Sequence, residues 1–401
     1  MSALAGWALL LLALPVLAGG LYLALLSLLS VPPRAPTASR LQTLRFTFVV
    51  PAHNEALGIA TTVKNLLAVN YPEALRRVLV VADNCQDDTA ARAREAGAEV
   101  LERQNAEQRG KGYALAFAFE QVLAEARTDA VVVVDADTVV TPNLLDACAA
   151  RLQQGAVAVQ AHYGVQNPNA SWRTRLMRIA LAMFHQVRSI GRERLGVSAG
   201  LRGNGMCFRT SLLAEVPHDA FSLVEDLEYG IRLGRAGHRV AYAWEADVLG
   251  EMVSGEQASR SQRARWENGR AEMVRRFGWP LLREALARRS LLLFDLAMDV
   301  LVPPLSRLVL AALAGLGASL ALASFTGHGA MAAALFGAAL WGVGLYVFAG
   351  WLHSRTGLRG LLDLAFAPGY VAWKLTLKLK QRGAQKPTDW VRTTREGETR
   401  P

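Results

Sequence analysis

The run Val131-Val132-Val133-Val134-Asp135-Ala136-Asp137 constrains the fold of this chain more than any other. Four β-branched residues in a row predict a strand buried on both faces, as in a parallel sheet covered by helices. Two carboxylates one residue apart follow at its C-terminal end, the edge at which open α/β sheets bind ligands. Alternate residues of an extended chain point to opposite sides, so one acid can hold a divalent cation while the other faces a sugar or ribose. A solvated strand end is the plain alternative, and the rest of the chain decides between the two.

Hydrophobic residues make up 52% of the 401 positions and charged ones only 19%, which requires part of the chain to have a solvent other than water. The length allows two or three units. The net charge of +10 is scattered or flanks apolar stretches. With no aromatic-basic RNA motif, it argues against nucleic acid and for an anionic lipid surface or a phosphate-bearing substrate. Cys85, Cys148 and Cys207 are odd in number and far apart, which speaks against a disulfide framework or zinc site and for a reducing compartment.

Residues 1–33 carry no charge and are dominated by Leu and Ala from Ala8 to Leu29, long enough to cross a bilayer as a helix. A cleaved signal peptide would want a basic start and a shorter apolar centre, so a retained span is expected. Arg34, Arg40 and Arg45 follow it and place its C-terminal end on the cytoplasmic side. Residues 308–325 and 329–352 are also uncharged, and the short link Thr326-Gly327-His328 joins them as an antiparallel hairpin. Arg355 and Arg359 then return the chain to the cytoplasm. Residues 291–302, which contain Asp295 and Asp299, and residues 361–379, broken by Pro368-Gly369, are expected to lie at the interface. The expected organisation is a span over 1–33, a catalytic domain over 44–250, a basic helix and interfacial helices over 251–306, a hairpin of spans over 307–355, and an interfacial segment with a cytoplasmic tail over 356–401.

Within the polar region a strand at 46–50, stopped by Pro51, leads to Ala52-His53-Asn54-Glu55, and a second at 78–82 ends on Asp83. Asp83 therefore shares a sheet edge with Asp135. Asp87 or Asp88 caps the following helix. Gly110-Lys111-Gly112 opens another helix, and flexible glycines around one lysine suit close approach of an ammonium to a diphosphate. Gly200-Leu201-Arg202-Gly203-Asn204-Gly205 is a turn without the order of a dinucleotide fingerprint. Glu225-Asp226 starts an amphipathic helix, where a carboxylate is either a favourable cap or a general base. Gln262, Arg265 and Trp266 share one helix face; they suit a pyrophosphate beside a saccharide end, or lipid headgroups.

Taken in order and spacing, Pro51-Ala52-His53-Asn54-Glu55, Asp83, Asp135-Ala136-Asp137, Glu225-Asp226 and Gln262-Arg263-Ala264-Arg265-Trp266 resemble the membrane-embedded family 2 glycosyltransferases, the group of cellulose, hyaluronan and chitin synthases. The resemblance implies an α/β, A-type glycosyltransferase (nucleotide-diphospho-sugar transferase) domain in the cytoplasm, with N- and C-terminal transmembrane helices in the inner membrane. It implies a nucleotide-sugar donor, usually a UDP-sugar, and Mg²⁺ or Mn²⁺. By the same resemblance Ala52, Glu55, Asp83, Lys111, Asp135 and Ala136 bind the donor, and Asp137 with Asp135 holds the metal. Asp226 is the catalytic base, Gln262, Arg265 and Trp266 close over diphosphate and acceptor, and Gly203, Asn204 and Glu225 form the acceptor side. The Gly203-Asn204 loop departs from the cellulose synthase form.

Three readings follow: an inverting synthase that extends a poly- or oligosaccharide, a non-processive transferase that adds one sugar to a lipid-linked acceptor, and a catalytically silent nucleotide-sugar-binding membrane scaffold. Few spans make a narrow conduit unless the protein oligomerises, which favours the second; the Gln262 to Trp266 motif favours the first.

Overall fold

The computed structural model of the chain describes residues 2–36, 42–168, 171–250 and 269–366. Its centre is one eight-stranded sheet in the order β3-β2-β1-β4-β7-β6-β8-β5. The strands are β1 (Phe46–Ala52), β2 (Arg76–Asp83), β3 (Glu99–Arg103), β4 (Ala130–Val133), β5 (Thr138–Val140), β6 (Ala158–Val165), β7 (Met206–Arg209) and β8 (Val240–Gly250). β1 pairs in parallel with both β2 and β4, and β2 with β3. β7 runs antiparallel to β4 and β6, so the sheet is mixed.

Because side chains alternate across a strand, β1 and β4 feed two separate cores. Phe48, Val50, Val132 and Val134 pack with Ile59, Val63, Leu144 and Leu145 of the helices Ile59–Leu67 and Leu144–Gln153. Val49, Val131 and Val133 pack on the other side with Leu115, Phe119, Tyr229 and Leu233 of the helices Lys111–Glu125 and Glu225–Arg235. This two-sided burial is why the valine run is unbroken.

Pro51 does not stop β1, which runs on to Ala52. The carbonyl of Val49 still accepts the Val134 N–H at 3.1 Å, but the pairing with β4 ends at Val49. Two residues on, the missing proline N–H faces the side where no partner strand remains, so it costs no ladder bond.

Among the described residues three helices are long and apolar enough to cross a membrane: Ser2–Leu28, Leu305–Thr326 and Ala330–Ser354. They pack together through Leu23, Leu308, Val343 and Tyr346, with Val187 of the segment Ala182–Val187 in the same cluster. Close contact of the first with the last is allowed by Gly20 and Gly342, since a Cβ on Gly20 would lie 2.7 Å from the Ala339 Cα. On the helix Leu291–Leu301, Asp295 and Asp299 are buried in the protein while Leu291 and Phe294 are exposed.

Candidate active site

Parallel pairing places the C-terminal ends of β1, β2 and β4 at one sheet edge, and antiparallel β7 brings the turn before it, residues 200–205, to the same edge. That turn and the start of the Glu225–Arg235 helix enclose the Asp135-Ala136-Asp137 segment. Lys111 Nζ lies 2.5 Å from Asp135 Oδ1 and donates to the Gly203 carbonyl, also at 2.5 Å. Glu225 Oε1 is 3.9 Å from the same ammonium. A Cβ on Gly203, whose φ is +79°, would sit 3.5 Å from Asp226 Oδ2 and 3.8 Å from Lys111 Nζ. Lys111, Asp135, Gly203, Glu225 and Asp226 thus surround one small space.

The electrostatics follow from crowding acids around one cation away from water. Burial works against the Lys111 charge, but Asp135, Glu225 and Asp226 together hold its pKa above the ordinary value. Burial pushes Glu225 up to about 7 against the pull of Lys111. Burial raises Asp226 too, opposed by the Leu227 N–H, Lys111 and Arg202. A buried, partly compensated carboxylate is the kind of group that can accept a proton near neutral pH.

The Asp135-Ala136-Asp137 turn is held from below. Asn204 accepts the Asp135 N–H at 3.2 Å through Oδ1 and donates through Nδ2 to Thr138 Oγ1 at 2.8 Å. Thr62 Oγ1 donates to the Ala136 carbonyl at 2.8 Å. Gln160 fastens the glycine turn by donating to the Asn204 carbonyl at 2.7 Å and accepting the Arg202 N–H at 2.9 Å. Asn204 is therefore a buried strut beneath the Asp135-Ala136-Asp137 turn.

At the β1 and β2 ends, Asp83 Oδ1 accepts from Arg103 at 2.6 Å, and both side chains are buried. His53 Nδ1 lies 2.7 Å from the Asp83 carbonyl. Glu55 follows the left-handed Asn54, φ +56°, and its N–H bonds Thr89 Oγ1 at 2.8 Å. Asp87 Oδ1 accepts the Thr89 N–H at 3.0 Å, so it is Asp87 that serves the helix start. Ala52 is buried beneath this loop. Gly112 is explained by packing: a Cβ there would clash with the Ala220 carbonyl oxygen. Gln262, Arg265 and Trp266 lie outside the described residues.

Tyr163 is a member of this site that pattern reading missed. Burial, then Asp135 and Asp137, hold its hydroxyl far above the usual phenol range, and Asn204 opposes them. It stands between His162 and Gly164 near the end of β6, outside any motif.

Among the described residues no three His, Cys, Asp or Glu side chains are grouped so as to hold a metal ion by themselves. Two carboxylates flanking a three-residue turn are an incomplete shell for a cation, and one that Mg²⁺ or Mn²⁺ accepts when phosphate oxygens complete it. The donor set fits such an ion.

Sheet order and site edge define an A-type, nucleotide-diphospho-sugar transferase fold. The chain belongs to the family described as Glycosyltransferase like family 2, whose profile matches residues 44–269, more than half of its length. It is 27% identical over 259 residues to a probable glycosyltransferase, YdaM, of Bacillus subtilis, covering 62% of this chain and 60% of that one. It is 28% identical over 265 residues to a beta-monoglucosyldiacylglycerol synthase of Nostoc, covering 63% and 55%. The matched region thus spans little more than half the length of these relatives. The fold is shared with a mannosyltransferase from Pyrobaculum calidifontis, solved with GDP-mannose and Mn²⁺, at a TM-score of 0.56 and 19% identity over 89% of this chain and 99% of that one.

Proposed function

We propose that the protein is an inverting membrane glycosyltransferase that moves one sugar from a nucleotide sugar to a lipid-linked acceptor at the cytoplasmic face. The observation that carries the acceptor side is the direct tie between the glycine turn and the apolar helices. Arg192 lies against Gly200, with Nη1 3.1 Å from the position of a Cβ there, and its Nε donates to Asp295 at 2.6 Å. Tyr22 of the first apolar helix donates to the same Asp295 at 2.9 Å. An acceptor anchored among these helices presents its head to Asp226. The lipid-directed relative named above supports this choice over chain extension.

Asp226 accepts the proton of the acceptor oxygen as that oxygen forms its bond to the anomeric carbon. The bond from that carbon to the diphosphate oxygen breaks on the opposite face, and the nucleoside diphosphate leaves with the electron pair. One in-line displacement inverts the centre and needs no nucleophilic carboxylate on the protein. Lys111 lies where it can stabilise the charge growing on the diphosphate. Ala52, Glu55 and Asp83 line the nucleoside end, and Gln262, Arg265 and Trp266 are assigned by sequence to the diphosphate and acceptor. Asp137, with Asp135, would hold Mg²⁺ or Mn²⁺, which supplies further charge neutralisation to the leaving group.

The test is a panel of nucleotide sugars offered to membranes containing the protein, with products sized by mass spectrometry. A lipid carrying one added sugar is expected. A ladder of products would favour the polysaccharide synthase, and binding of nucleotide sugar with neither transfer nor hydrolysis would favour the silent scaffold. Asp226→Asn should lower turnover by about 10²–10⁴-fold and leave UDP binding nearly intact.

A further inference from the structure

A second polar cluster lies between Asp226 and the apolar helices, and among the described residues its guanidiniums outnumber the carboxylates they pair with. Among the described residues the ion pairs of Arg188, Arg192 and Arg202 in this cluster are made with two carboxylates, Asp295 and Asp299, and Asp226 acts on Arg202 from further off. Arg192 and Arg188 take the close ion pairs, at 2.6 Å to Asp295 and 3.0 Å to Asp299. Arg202 comes no nearer than 3.9 Å to Asp299, and Arg270 bonds the carbonyls of Asp299 and Val302. Arg202 Nε and Arg192 Nη2 are buried with no hydrogen-bond partner among the described residues.

Three of these guanidiniums converge on one ring. The Cζ atoms of Arg202, Arg188 and Arg270 lie 4.4, 4.9 and 5.8 Å from the Phe184 centroid. Gathering like charges away from water is costly unless an anion joins them, and buried donors without acceptors call for a ligand or ion. Burial holds Arg270 down to about 10, with Asp299 opposing, which reflects that cost. A guanidinium group of this kind matches the oxygens of a phosphate.

The cluster's position gives the class of ligand. On one side Arg202 precedes Gly203 and helps keep Asp226 charged. On the other, Arg188 Nε donates to Tyr346 of the Ala330–Ser354 helix at 2.8 Å. We propose that Arg188, Arg202 and Arg270 bind the phosphate of a lipid acceptor whose chain lies along the apolar helices. This rests on the lipid-directed reading above and adds to it that the acceptor is anionic, where a diacylglycerol is neutral.

The experiment compares farnesyl phosphate, farnesol and inorganic phosphate as probes of the full-length protein in detergent, by calorimetry. Farnesyl phosphate should bind about tenfold or more tighter than either control, and Arg202→Gln and Arg270→Gln should each remove about tenfold of that affinity, as for a charged hydrogen bond. Neither position makes the closest ion pair to Asp295 or Asp299, so both variants should fold and still bind UDP with Mn²⁺. Equal binding of farnesol and its phosphate overturns the proposal, as does binding of inorganic phosphate as tightly as the lipid phosphate. A lowered Tm with unchanged farnesyl phosphate affinity in the variants also overturns it and makes the cluster a purely structural tie. Failure of the donor reading shows separately, as loss of UDP binding by the parent protein.

Discussion

Lys111 joins Asp135 across the carboxyl edge of the sheet, Nζ 2.5 Å from Oδ1, and through the Gly203 carbonyl the same ammonium holds the glycine turn against the site. One side chain therefore sets the spacing between the proposed donor and acceptor halves. Its charge also restrains Glu225, which burial pushes up to about 7. The Glu225 carboxylate is the form that pairs with Lys111, so activity should rise with pH through about 7 as that carboxylate forms. Lys111→Met removes the restraining cation and should move the step to higher pH, while Glu225→Gln should abolish it. Rate profiles of the three proteins check this; an unmoved step in Lys111→Met would separate the step from this pair.

Asp137 is the carboxylate of the turn that Lys111 does not hold, and Asp137→Asn should weaken UDP binding by about tenfold or more in Mn²⁺, the cost of one charged ligand. Chelation of the ion in the parent protein should reproduce that loss and add nothing in the variant. Calorimetry of UDP with and without chelator reads both. A variant that responds to the chelator as fully as the parent would remove Asp137 from the metal's ligands.

Asn204 bonds both Asp135 N–H and Thr138 Oγ1 from a buried position. Asn204→Ala leaves both partners unsatisfied, and it should cost about 1–3 kcal/mol of stability per stranded group. If Asn204 acts as a strut, donor KM should rise with acceptor KM unchanged. A change confined to acceptor KM would restore the acceptor role expected from sequence.

How much of this was legible depends on how local each signal was. β1, β2 and β4 were readable because strands buried on both faces are continuous apolar runs, and Asp83 ends β2 while Asp135 lies two residues beyond β4. β5, β7 and β8 were not read, since they are held by partners distant in sequence. The contacts of Asn204 were hidden for the same reason: its partners Asp135 and Thr138 come from another strand end. The arginine cluster did carry a signal. Arg188 and Arg192, like Asp295 and Asp299, are spaced four apart and so share a helix face, yet beside apolar stretches each pair also fits a lipid interface. Only the fold brings the two pairs together.

His162 gives a prediction about stability that is independent of the reaction. It is buried, with Nδ1 3.0 Å from the Tyr242 hydroxyl and Nε2 2.9 Å from Gln186 Nε2. The amide nitrogen only donates, so Nε2 accepts and the ring is neutral; protonation would set two N–H groups against each other. Burial, reinforced by Arg178, His353 and Arg355, lowers its pKa to about 3. Burial likewise takes His185 well below the ordinary value. In the unfolded chain both titrate near about 6.5. Between these limits the unfolded state binds more protons, so stability rises with pH and falls as the solution is acidified below about 6.5, approaching 1.4 kcal/mol per pH unit for each group. His162→Gln should retain the Tyr242 and Gln186 contacts and flatten this slope by about one such increment. Denaturant midpoints of the detergent-solubilised protein between about pH 4 and 7 measure it, and a variant with the parent's slope would show that His162 is not held neutral in the fold.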